Sequence, residues 1–78
     1  METMESLNIE DKRMILEELR KRMVLEIYRN CVLLGIDYDT FDYASYEQES
    51  PVIHHESVVL KNSCVSYANI LEQIESLN

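Results

Sequence analysis

One glycine, one proline and no tryptophan in 78 residues leave this chain with little punctuation and few large rings. A single glycine excludes the glycine-rich loops that cradle phosphate and the sharp elbow that presents a nucleophilic serine. The two cysteines, Cys31 and Cys64, are too few for a disulfide framework and form no paired metal-ligand motif. Long apolar runs are missing too. Glu26, Arg29 and Asn30 interrupt the longest stretch, and nothing reaches the roughly 20 residues that cross a bilayer. The opening METMESLNIEDKRM is polar and acidic, unlike a secretory leader. These absences lead us to expect a reduced, soluble, intracellular protein of the cytoplasm with no cofactor and no metal.

Positive charge is the next scarcity, with 15 acids against seven bases and a net charge of −8. Residues 1–35 hold seven acids and six bases, whereas residues 36–78 hold eight acids and Lys61 alone. A surface of that sign repels nucleic-acid phosphates and anionic lipid, and it attracts basic proteins from a distance. Direct binding to nucleic acid or to a membrane is therefore not expected. A chain this short buries only about 60% of its unfolded surface. Helical proteins of the size commonly need a second subunit.

What is present is helical pattern. Asn8 is placed to cap a first helix, with Glu10 and Asp11 in the first turn, where negative charge meets the positive end of the helix dipole. No breaker follows until Gly35, which suits a left-handed C-cap with Ile36 as its apolar contact. This predicts a helix over about 8–35. Ser50-Pro51 is the matching start signal for a second helix over about 51–77, with Ser57 as a later start. Its apolar positions Ile53, Leu60, Cys64, Tyr67, Leu71 and Ile74 form a seam that faces a partner helix.

The first helix carries two stripes. Leu16, Leu19, Met23, Ile27, Cys31 and Leu34 form the main one, while Met14, Leu25, Tyr28 and Val32 lie on another side. One following helix covers only one stripe, so the second is the expected oligomer seam. The predicted fold is all-α: one domain over 1–78, an antiparallel two-helix hairpin with room for a short third helix in the connector 36–50, assembled as a dimeric helical bundle.

The connector holds DYDTFDYASYEQE, five carboxylates and four rings in 13 positions with no base among them. A cap at Asp39 or Thr40 would start a short helix across FDYASYEQ, with Phe41, Ala44 and Ser45 inward and Asp42, Tyr43, Tyr46 and Glu47 outward. Two readings follow. In the plainer one, Phe41 and one tyrosine plug the end of the first helix and the acids keep a loop solvated. In the other the segment docks a basic protein: Tyr38, Phe41, Tyr43 and Tyr46 give contact area, and Asp37, Asp39, Asp42, Glu47 and Glu49 give long-range attraction and register. Spaced acids of this kind also suit imitation of a nucleic-acid strand.

Other features resolve more plainly. His54 and His55 are adjacent, so on a helix they point to different faces and cannot chelate one ion. Cys31 and Cys64 come level if Leu34 meets Leu60 across an antiparallel pair; they read as buried thiols, with a redox bridge as the alternative. Glu17 with Lys21 and Glu18 with Arg22 read as weak ion pairs on a solvated face. No catalytic constellation emerges, so an enzyme is not expected. The expected function is a small acidic interaction module, a regulator or inhibitor that docks on a basic protein, nucleic-acid-binding proteins among the candidates, as a homodimer or hetero-complex. The alternative is a structural helical subunit of a larger coiled-coil-like assembly.

Overall fold

The structure is a computed structural model that describes residues 4–47 and 55–78. Helix α1 spans Ile9–Leu34, a 3₁₀ turn follows at Tyr38–Thr40, and helix α2 spans His55–Ser76. The two helices pack against each other as an all-helical hairpin, with no strand among the described residues. They run antiparallel: Arg13, near the start of α1, donates from Nη2 to Asn78 Oδ1 at 3.1 Å.

Both ends of α1 are fixed as the sequence implies. Asn8 Oδ1 accepts from the Asp11 N–H at 2.8 Å, which satisfies one of the unpaired donors of the first turn. At the other end Gly35 takes φ 72°. Its N–H reaches the Val32 carbonyl at 3.2 Å, and the Ile36 N–H reaches Cys31 at 2.8 Å. That pair of bonds defines a Schellman cap, and Ile36 packs against the core as its apolar contact. An added Cβ at Gly35 meets nothing within 4 Å. The expected cost of Gly35→Ala, read from urea melts, is therefore the left-handed backbone alone, about 1 kcal/mol. A neutral substitution would contradict the cap.

The core is small and lies toward the connector end. Ile27, Cys31, Leu60 and Cys64 form its buried cluster, flanked by Leu34, Ile36, Phe41, Tyr43, Tyr46 and Tyr67. Cys31 and Cys64 thus come together. The far end is looser. There Leu7, Ile15, Leu16 and Leu77 border an open hollow of about 390 Å³.

Three expectations about local structure are corrected. The turn of helix in the connector falls on Tyr38–Thr40 rather than across FDYASYEQ, because Asp37 Oδ1 takes the Asp39 N–H at 3.0 Å and caps it. Tyr43 and Tyr46 are half-buried against the core, whereas Ala44 and Ser45 are exposed, the reverse of the expected arrangement. Asp42 is the cause: its carboxylate accepts from the Ala44 N–H at 3.0 Å and the Ser45 hydroxyl at 2.9 Å, folding a turn instead of a helix. Glu17, expected to pair with Lys21, pairs with Arg20 at 2.9 Å, since the half-buried guanidinium lies back along the helix toward it. The expected start at Ser50-Pro51, and with it Glu49, Ile53 and His54, falls outside the described residues.

Candidate interaction surface

The connector is clasped to α2 by one side chain and one carbonyl of the same residue. Tyr46 Oη shares a hydrogen bond with Ser57 Oγ, and the Lys61 ammonium donates to the Tyr46 carbonyl at 2.7 Å. Ser57 and Lys61 are four residues apart, so both lie on one face of α2. Ring contacts complete the attachment. Phe41 and Tyr46 meet with centroids 5.6 Å apart, and Tyr43 sets its edge against Tyr67 at 4.9 Å. Such pairs add a fraction of a kcal/mol or more to area burial.

This clasp sorts the four connector rings. Phe41, Tyr43 and Tyr46 hold the segment down, while Tyr38 remains exposed and stacks on Tyr28 of α1, centroids 5.5 Å apart and planes 18° from parallel. Tyr28, Val32, Ile36, Asp37, Tyr38 and Asp39 line an open hollow of about 480 Å³ at the end of α1. Of the acids expected to meet a partner, Asp37, Asp39, Asp42 and Glu47 are all exposed. Asp37 and Asp42 hold turns as well, and both stay exposed while doing so.

The electrostatics of the two halves differ. The ion pairs found among the described residues, Glu17–Arg20, Glu18–Arg22 and Glu26–Arg29, all lie within α1. The described connector acids, Asp37, Asp39, Asp42 and Glu47, have none, and Lys61 is engaged by a backbone carbonyl. A second surface lies on the flank of α1 turned away from α2. Met14, Leu25, Tyr28 and Val32 are exposed there, Leu25 at 71% and Val32 at 61%. Leu25, Tyr28 and Val32 form a continuous strip along successive turns, while Met14 is set apart from them by Glu18 and Lys21.

The thiols sit apart from both surfaces. Cys31 and Cys64 are buried and free. Burial pushes the Cys31 thiol up and, with Cys31 beside it, drives Cys64 from its usual 9.0 to about 11, Lys61 opposing this slightly. A protonated thiol is a poor nucleophile. At pH 8 a thiol reagent is expected to label the native protein far more slowly than the urea-unfolded chain. The sign for stability follows from linkage: Cys64's contribution is complete below pH 9 and is lost as pH rises through about 11. Urea midpoints across that range check it, and a rise toward alkaline pH would refute it.

Among the described residues no group of three or more His, Cys, Asp or Glu is placed to hold a metal ion, and no helix is long and apolar enough to cross a membrane. Sequence reasoning missed Ser57, Ser63 and Asn30, which are buried although polar. The i, i+4 pairing of Ser57 with Lys61, the sole base after residue 35, was the available signal for the clasp. No protein-family model, curated protein or solved structure matches the chain.

Proposed function

We propose that this protein is a small non-enzymatic interaction module, a regulator or inhibitor that docks on a basic partner protein through the connector end. The uncompensated charge of Asp37, Asp39, Asp42 and Glu47 carries the reading: these carboxylates are exposed and form no ion pair among the described residues, and Asp37 and Asp39 border the hollow that holds the Tyr28–Tyr38 stack. Rings beside acids suit lysine and, above all, arginine, whose guanidinium stacks on a ring while its donors meet a carboxylate. A second reading, the structural helical subunit of an assembly, is favoured by the exposed flank of α1, and self-association into a dimeric helical bundle belongs to it.

The first reading is tested with an arginine-rich amphipathic peptide titrated at low and high salt. Asn at positions 37, 39 and 42 keeps a side-chain carbonyl for the turns while removing charge. Asp37→Asn/Asp39→Asn/Asp42→Asn is expected to weaken binding about tenfold at low salt, from roughly 0.5 kcal/mol per carboxylate, with the difference shrinking as salt rises. Binding indifferent to both salt and the triple substitution would defeat it.

A further inference from the structure

We infer that the outer flank of α1 is the interface between two copies of this chain, with the two α1 helices packed antiparallel. The inference rests on the self-association reading and gives it a face, a direction and a register. It draws on Tyr28 and Val32, which also line the connector hollow, so the two surfaces adjoin at the Tyr28–Tyr38 stack.

The first support is geometric. Met14, Glu18, Lys21, Leu25, Tyr28 and Val32 follow one another at spacings of four, three, four, three and four residues, a stripe centred roughly 120° around α1 from Ile27 and Cys31. This spacing reads the same in both directions. A two-fold axis level with Met23 therefore sets Met14 of one copy against Val32 of the other, Glu18 against Tyr28, and Lys21 against Leu25. The stem of Lys21 covers the leucine while its ammonium reaches water.

The second support is charge. Beside the stripe run Arg22, Glu26 and Arg29, which with Glu18 of the stripe itself alternate in sign and are exposed or half-exposed. A parallel pair would set each against its own kind. The antiparallel pair brings Glu18 near Arg29 of the second copy and Arg22 near Glu26. Within one chain these groups already pair at 3.4 and 3.6 Å with large exposure, so little is lost when they exchange partners.

The third is surface. The chain exposes 6152 Å², against about 4,900 Å² for a compact monomer of its mass. Its radius of gyration is 15.2 Å, against about 11.5 Å expected for its length. Among the described residues the exposed segment before Asn8 and the outer flank of α1 both contribute to the excess. That excess belongs to the whole chain; the part of it that α1 offers is the exposed surface of Met14, Leu25, Tyr28 and Val32, the place where a second copy would take the ~800 Å² that each partner commonly gives to a stable interface.

The test is solution mass by sedimentation equilibrium from micromolar to millimolar concentration, on the parent and on Leu25→Glu, Arg29→Glu and Glu18→Arg/Arg29→Glu. The parent is expected to form a dimer. Leu25→Glu is expected to weaken it by at least tenfold, Arg29→Glu by about tenfold, and the double charge reversal to restore it. Helical circular dichroism should persist throughout, since the altered side chains face away from α2. A parent that stays monomeric at millimolar concentration overturns self-association and the pairing together. A dimer unmoved by the three variants, or not restored by the double reversal, overturns the antiparallel α1 pairing alone.

Discussion

Leu60→Ala is expected to lower the stability of the hairpin by about 2–5 kcal/mol. The side chain is fully buried and belongs to a cluster whose other buried members are Ile27, Cys31 and Cys64. Truncation removes apolar burial at the centre of the fold and leaves a void that two helices joined by a clasped connector close only in part. Folded chains of this length hold roughly 4–12 kcal/mol in all, so the variant loses a large share of its stability. Urea denaturation followed by circular dichroism measures the loss. Leu25→Ala is the contrast: at 71% exposure it touches nothing in α2 and should cost a few tenths of a kcal/mol in the dilute protein. Equal effects at the two leucines would mean that the core lies elsewhere.

Asn30→Asp is the second large effect. Asn30 is 1% exposed, and its Nδ2 donates to the Glu26 carbonyl at 2.8 Å and to Glu26 Oε1 at 3.2 Å. A carboxylate there loses both bonds, faces two acceptors and is buried beside another negative charge. Each of these works against folding, and together they are expected to cost several kcal/mol at neutral pH. The environment raises the folded-state pKa of the new carboxyl group above its unfolded value of about 3.9. Stability is therefore retained below that unfolded value and lost as pH rises through the raised one. The gap between variant and parent in urea midpoint should close near pH 3 and widen toward pH 7. A gap independent of pH would indicate that packing rather than charge is at fault.

Asn30 also shows what the sequence conceals. An asparagine in mid-helix reads as a solvent-facing residue, and only its bonds to the preceding turn make burial tolerable. The burial of Ser63, and of Ser57, read only as a later helix start, escaped notice in the same way, because small hydroxyl residues carry too little hydrophobic signal to mark a seam. The connector was misread for a different reason. A tyrosine has an apolar body and a polar tip, so local pattern does not say which side it turns, and Tyr43 and Tyr46 were settled by partners 24 and 11 positions away. Asp37 caps a 3₁₀ turn just before the expected start at Asp39 or Thr40, and Asp42 folds a turn where a helix was expected. By contrast, the hairpin itself was legible, since Asn8 and Gly35 announce the ends of α1 by chemistry that acts within four residues. The second stripe of α1 was legible too, and the structure leaves it bare.

The uneven placement of the core has a mechanical consequence. Cohesion is concentrated beside the bend, where Ile27, Cys31, Leu60, Cys64 and the Tyr46 clasp lie, while the free tips meet across a hollow and, among the described residues, share the Arg13–Asn78 bond. The hairpin thus resembles a pair of tongs riveted at one end. Its tips part first under stress, and amide hydrogens should exchange in a gradient from the tips inward, slowest at the rivet.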